Sequence, residues 1–335
     1  MLDISSLASV ALIFAITFLI TFISTPLIGK VMRRHGIIGK DVHKPSEIKL
    51  PEMCGLAILV GLTIGTICSV FFFPGATLET TAFMGTVLIA GGIGVVDDLR
   101  PLSARIKPLL TAIACLPILL LGTYDPRPTI PLLGTVRLTI VYPFLIPVAI
   151  AVTSNGVNMM DVLNGSMSGT VGIISIAVTA ILLISGDVNS ARLGAGLVAA
   201  VLAFHYFSRY PAKVFSGDTG TLSVGAALAA LAILGKIETV MIVALIPHIM
   251  NAFYGLSSVG RLYERREIRQ RPTRLLSDGT IDASAERSAP VTLTRIILAT
   301  GPMREPEIVR GMMFLTLIST VLAVLTYGIT LAGRV

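Results

Sequence analysis

Two adjacent carboxylates, Asp97 and Asp98, end an apolar run that begins near Thr80, and Arg100, Arg105 and Lys107 follow before the next apolar run. Carboxylates at the mouth of a membrane helix, beside cations, are poor packing material and suit a place where a metal-bound phosphate meets a lipid. Three other stretches carry compatible chemistry. In FSGDTG, Phe215 to Gly220, an acid between glycines at a helix start can approach a cation without crowding, and nearby backbone N–H groups can face an anion. In NGVNMMDVLNG, Asn155, Asn158 and Asp161 recur at three-residue spacing, which makes part of one helical face polar where a span ends. Asparagine offers a carbonyl to a cation and amide donors to a phosphate. In RLYERREIRQRPTR six arginines crowd into fourteen residues, and Arg269 and Arg271 are the two that nearby acids do not neutralise in sequence. A guanidinium grips phosphate through its planar fork.

Each stretch also has a plainer use. Asp97 to Lys107 can be a membrane-surface turn, Asp218 a helix N-cap, Asn164-Gly165 a turn, and the arginines a head-group patch. Together, carboxylates, asparagines, a hard-cation site and an arginine fork fit Mg²⁺-assisted phosphoryl chemistry. No Ser-His-Asp arrangement, zinc-ligand spacing or P-loop competes. His205 and His248 read as hydrogen-bonded interior residues, and His43 is a minor candidate beside Lys44.

The elements that must position these groups follow from composition. The chain of 335 residues is 54% hydrophobic and 13% charged, with a mean hydropathy of +0.86. A soluble domain carries roughly a quarter charged residues. Apolar runs long enough to span the hydrocarbon recur along nearly all of the sequence, so the expectation is an all-α polytopic membrane protein forming one integral membrane domain over 1–335. Ten spans are expected, near 7–30, 53–73, 79–97, 106–122, 138–154, 166–185, 190–208, 219–235, 238–260 and 308–331. The first follows MLDISS without a basic n-region or small-residue cleavage site, so it reads as a retained helix. Cys54, Cys68 and Cys115 lack CxxC spacing and read as small core residues.

With the N-terminus outside, 21 of the 26 lysines and arginines fall on inner connections. That asymmetry predicts both termini outside. The net charge of +7 is then an inner-face bias attracted to anionic membrane lipids, and nucleic-acid binding is not needed to explain it. The outer connections are short and plain, except for a Pro- and Gly-bearing piece around 123–138 that suits a small hairpin. The five inner connections hold all the chemistry: 39–52 with Asp41, His43, Lys44 and Glu52; Asp97 to Lys107; 155–165; 208–221; and a long loop, about 261–307, expected to carry a hairpin turning at Asp278-Gly279 and then a short surface helix.

These motifs resemble, in order, those of the polyprenyl-phosphate N-acetylhexosamine-1-phosphate transferase superfamily. DVHKP and LPEMCG resemble its first inner loop, VVDDL with Lys107 its aspartate pair and downstream lysine, NGVNMMDVLNG its asparagine signature, and FSGDTG its (F/M)-x-G-D-(S/T) signature. RQRPTR resembles the R-x-R-x-x-R of the eukaryotic and archaeal UDP-GlcNAc–dolichyl-phosphate branch, and the histidine-rich motif of bacterial members is missing from that loop. Val162 stands where the signature usually has glycine, and Met53-Cys54 interrupts a familiar glycine pair. The resemblance implies transfer of N-acetylglucosamine-1-phosphate from UDP-GlcNAc to dolichyl phosphate with release of UMP, as the first step of lipid-linked oligosaccharide assembly for N-glycosylation. It implies Mg²⁺, with Mn²⁺ as a substitute, held by Asp218 and Asn158. Arg269 and Arg271 would grip the diphosphate, Phe215 would stack on uracil, and Asn155 and Asn164 would lie near the nucleoside. Lys44 and Glu52 join the substrate-binding set, Lys107 would hold the lipid phosphate, and Asp97 or Asp98 would activate it. An archaeal plasma membrane with the active site facing the cytoplasm is the implied location, and a homodimer is compatible with it. Two alternatives stand beside this reading. One is the same chemistry on another UDP-N-acetylhexosamine or undecaprenyl phosphate. The other is an ion-coupled transporter, which would place carboxylates near the bilayer midplane on broken helices in repeated halves.

Overall fold

A computed structural model describes residues 4–44, 48–263, 268 and 270–332. Inside hydrocarbon each backbone N–H and C=O must be satisfied within its own segment, so the apolar runs become helices. In chain order these are α1 (Ile4–Arg34), a hairpin of β1 (Ile38–Lys40) and β2 (Lys49–Pro51), α2 (Leu56–Phe72), α3 (Thr77–Leu99), α4 (Ile106–Ile113) and α5 (Leu116–Leu120). A second hairpin, β3 (Thr129–Ile130) and β4 (Gly134–Thr135), precedes α6 (Tyr142–Met160), α7 (Ser166–Ile184), α8 (Val188–Ser208) and α9 (Gly217–Leu234). The chain ends through α10 (Glu238–Ala244), α11 (Ile246–Val259), a hairpin of β5 (Thr273–Leu275) and β6 (Ile281–Ala283), α12 (Leu293–Ile297) and α13 (Glu305–Ala332).

The chain is an all-α polytopic membrane protein. Among the described residues seven helices are long and apolar enough to cross a bilayer, or eight if α10 and α11 count as one bent span. Three of the ten expected segments are shortened or broken. The run at 53–73 yields α2, of 17 residues. The run at 106–122 breaks into α4 and α5 just before Pro117, which has no N–H to continue the ladder. The run at 238–260 bends by 62° between α10 and α11. Pro247 causes the bend: its missing N–H would have bonded the Val243 carbonyl. Ser319 of α13 donates its hydroxyl to that carbonyl instead, at 2.5 Å.

At the centre lies α9, whose apolar stretch is 89% buried. Its sequence, GDTGTLSVGAALAALAIL, is apolar or small on every face, as a helix surrounded by other helices requires. On α3, Gly94 permits the closest approach. A Cβ there would lie 2.5 Å from Thr219 Cα. Residues three and four positions further along a helix share its face, so the same contact carries Asp97 and Asp98 to the start of α9.

Both expected hairpins are present. The second carries the expected turn, with Asp278 Oδ1 accepting from Thr280 N at 3.0 Å and Gly279 at φ +81°, and α12 follows it. Leu293, Leu298 and Ile281 of this loop pack with Met160, Leu163, Ile308 and Met312 into a small core at one end of the bundle. Cys54 and Cys115 are buried free thiols and Cys68 is half-buried and free. His248 is interior, its Nε2 3.1 Å from Thr170 Oγ1, and His205 Nδ1 lies 2.8 Å from Ser168 Oγ.

Candidate active site

Four of the sequence-predicted residues meet in one cluster. Asp97 sits on the last turn of α3, where its Oδ1 accepts from Leu102 N at 2.6 Å and so fixes the turn into α4. Its Oδ2 lies 2.6 Å from Lys107 Nζ, on the first turn of α4. The same ammonium is 2.8 Å from Asp218 Oδ2, on the first turn of α9. Asp218 Oδ1 accepts from Asn158 Nδ2, near the end of α6, and that amide also donates to Thr221 Oγ1 at 2.8 Å. Two helix ends and two helix starts are thus joined around one shared cation. Asp97 and Lys107 are 2% and 5% exposed, so removing Lys107 would strand the buried Asp97 charge at a cost of about 3–5 kcal/mol.

Asp98 does something different. Its Oδ1 accepts from Asp218 N at 2.7 Å, and its Oδ2 accepts from Thr219 N at 2.9 Å and Thr219 Oγ1 at 2.6 Å. It is the N-terminal cap of α9, supplied from another helix, where a carboxylate also meets the positive end of the helix dipole. Gly217 makes room for it: the residue has φ +66°, and a Cβ there would lie 2.6 Å from Asp98 Oδ2. The sequence reading of Asp218 as a possible cap thus fell on the wrong member of the set. Asp218 is left with its side chain directed to Lys107 and Asn158.

The remaining candidates form a surrounding layer. Asn155 donates to Thr111 Oγ1 at 2.9 Å and to Ala151 O at 2.8 Å, which ties α6 to α4 one turn beyond Lys107. Asn164 donates its backbone N–H to Glu305 Oε1 at 2.7 Å and its side-chain amide to Asp41 Oδ2 at 3.1 Å. Lys44 pairs with Glu305 and lies 3.7 Å from Asp41 Oδ2, so it is engaged within the protein. Glu52 follows β2, half-buried, with its N–H bonded to Ile37 O. Phe215 is clamped between backbones, donating to Pro51 O at 2.9 Å and accepting from Cys54 N at 3.0 Å. Cys54 beside it is a fully buried free thiol, a small packing group. An open cleft runs between Phe215, Ser216, Asp161, Asn164 and Met167, and its enclosed part measures about 20 Å³, room for about one water molecule. Arg271 is exposed just before β5, and Arg269, Arg265 and Arg266 lie outside the described residues.

Glu305 was not singled out from sequence, because nothing marks the first residue of a last helix as a partner for a loop 141 positions earlier. The three aspartates and one lysine carry a formal charge of −2. Among the described residues no three His, Cys, Asp or Glu side chains converge as a metal cage. Mg²⁺ is ordinarily held by one or two carboxylates plus substrate phosphates, and hard oxygen donors around a residual −2 fit that ion.

The helical bundle carries this acid and lysine cluster at one end, and residues 80–236 match the family described as Glycosyl transferase family 4, which makes the class a membrane glycosyltransferase. The chain belongs to that family, and the resemblance drawn from its motifs is borne out. It is 27% identical to a Sulfolobus acidocaldarius protein provisionally named UDP-N-acetylglucosamine–dolichyl-phosphate N-acetylglucosaminephosphotransferase, over 97% of this chain and 98% of the relative. It is 31% identical to a provisionally named glycosyltransferase of Methanocaldococcus jannaschii, over 87% and 89% of the two chains. It is also 33% identical to a phospho-N-acetylmuramoyl-pentapeptide-transferase of Shouchella clausii, over 67% and 71%.

Proposed function

We propose that this protein transfers N-acetylglucosamine-1-phosphate from UDP-GlcNAc to dolichyl phosphate, releasing UMP and opening lipid-linked oligosaccharide assembly for N-glycosylation. The observation that carries the proposal is the Lys107 ammonium shared by Asp97 and Asp218, with Asn158 on the second Asp218 oxygen. The near full-length similarity to the archaeal protein of that name supports the donor and acceptor.

In this reading Lys107 exchanges one of its two carboxylate partners for the lipid phosphate and holds it against the end of α3. Asp97 keeps Lys107 oriented and accepts whatever proton the phosphate still carries. That task is modest, because a phosphate monoester is already largely ionised near neutral pH. Asp218 and Asn158 would hold Mg²⁺ (or Mn²⁺), which supplies charge neutralisation on the donor diphosphate. Asp98 keeps Asp218 in place through its peptide N–H. A lipid-phosphate oxygen bonds to the sugar-bearing phosphorus, the bond from that phosphorus to the bridging oxygen breaks, and UMP leaves with the electron pair. Positioning and electrostatic stabilisation carry most of the rate. A transient phospho-aspartate is the alternative route. Phe215 stacks on uracil, Asn164 lies at the base, and Arg269 and Arg271 grip the diphosphate from the long loop.

The same proposal has ten membrane segments with both termini outside and the site at the cytoplasmic face of an archaeal plasma membrane. It rests on the 21 inner cations. UMP release by purified protein with dolichyl phosphate, with and without a chelator, across a panel of UDP-sugars tests the activity. Release with UDP-GlcNAc alone, lost on chelation, is expected. Release only with another donor or only onto undecaprenyl phosphate moves the substrate toward that of the bacterial relatives. No release from folded protein overturns the proposal.

A further inference from the structure

Behind the cleft, Asn164 is held by buried Asp41 and Glu305, with Lys44 paired to Glu305, and the proposed reaction does not use these three directly. Asp41 and Glu305 are each 4% exposed and Asn164 is 7% exposed. Asp41 comes from the hairpin loop after β1, Asn164 from the turn between α6 and α7, and Glu305 from the first turn of α13. Lys44 Nζ pairs with Glu305, lies 3.7 Å from Asp41 Oδ2, and sits 4.0 Å above the Tyr210 ring. Glu305 Oε1 takes the Asn164 backbone N–H, and Asp41 Oδ2 takes its side-chain amide. An ionised carboxylate only accepts hydrogen bonds. Facing Asp41, the Asn164 amide therefore has one allowed orientation, with its NH₂ inward and its carbonyl oxygen left over. Asn164 also lines the cleft beside Phe215.

We propose that Asp41, backed by Lys44 and Glu305, is a specificity-determining positioning residue: it holds the Asn164 amide against turning over, so that the carbonyl oxygen is the acceptor offered to the cleft. This rests on the reading of the cleft as the place of a uracil base. The imide N3–H of uracil is a donor and matches a fixed acceptor. At the same position cytosine carries a lone pair, which would face the Asn164 carbonyl without a proton between them. A site with a locked polar group rejects the mismatched partner, whereas a group free to turn over accommodates both.

The test is equilibrium binding of UMP and CMP to the purified full-length protein and to Asp41→Asn and Glu305→Gln variants. Asp41→Asn keeps the volume but can both donate and accept, so the Asn164 amide can reverse. The wild-type protein should prefer UMP. In Asp41→Asn the UMP-to-CMP preference should shrink about tenfold, the factor corresponding to about 1.4 kcal/mol. Glu305→Gln, which leaves an acceptor for the Asn164 N–H but weakens the hold on Lys44, should shrink it less. Loss of packing alone would weaken both nucleotides in proportion and leave the ratio fixed. A ratio unchanged in the variants, with UMP still preferred by wild type, overturns the proposal. A wild-type protein with no preference for UMP overturns the uracil reading on which it rests. If Asp41→Asn does not fold, the ratio in Glu305→Gln decides.

Discussion

The two ends of the bundle use the same residue types for opposite ends. At the site, Asp97 and Asp218 share one lysine with Asp98 beside them, Asp97 and Lys107 are buried, and a formal charge of −2 remains. At the far end, Asp125 pairs with Lys236 at 2.9 Å and Arg127 at 3.1 Å, and Glu238 accepts from the Tyr142 hydroxyl. There two acids meet two cations and the charge closes. The far-end cations are also in solvent, with Lys236 and Arg127 side chains 59% and 62% exposed. This arrangement clamps the β3–β4 hairpin to α10, helped by Thr239 donating to Thr129 O at 3.0 Å. Balanced charge in water is a fastener, and unbalanced charge under cover waits for a charged partner.

Substitutions at the two ends should separate these roles. The largest effect is expected from Asp218→Ala, which should lower UMP release on the order of 10³-fold or more while the thermal unfolding midpoint stays close to wild type. Turnover near the wild-type rate would remove Asp218 from the chemistry. Asp98→Ala comes next. Loss of the cap should cost about 1–2 kcal/mol of stability, and the displaced Asp218 should slow turnover by about 100-fold. If the rate falls with no change in stability, Asp98 meets the substrate and is more than a cap.

At the far end, Glu238→Gln should leave turnover within about twofold and lower stability by about 1 kcal/mol, the difference between a charge-assisted and a neutral hydrogen bond, since Gln still accepts from the Tyr142 hydroxyl. A large loss of activity there would erase the contrast between the ends. Lys236→Ala should change stability by less than about 0.5 kcal/mol, as exposed pairs do. The Lys236 and Arg127 partners hold the Asp125 carboxyl below its usual range, Lys236 contributing most. A depressed carboxyl stabilises the fold above its unfolded pKa of about 3.9 and loses that contribution as pH falls through the folded value. The difference between Lys236→Ala and wild type should therefore disappear in acid and persist at neutral pH.

Much of the fold was legible because its signals are local. Hydropathy located every long helix, Asp278-Gly279 marked its hairpin, and the free cysteines and interior histidines fell where their surroundings in sequence implied. The breaks were only half legible. Pro247 is visible in sequence, but the hydroxyl that makes its bend tolerable belongs to Ser319, a full helix away. The cluster of Asp97, Lys107, Asn158 and Asp218 was legible as a set of residue types. The division of labour between Asp97 and Asp98 was not.

What the sequence determined by itself is the kind of molecule and the inventory of its chemistry, since apolar length and the spacing of acids, amides and cations are properties of single segments. Tertiary structure alone decided which carboxylate reaches Lys107, which caps α9, and that Lys44 is bound to Glu305. Adjacent residues on a helix point about 100° apart. Gly94 sets how closely α3 approaches α9, and that approach sends one aspartate to a peptide N–H and its neighbour to an ammonium.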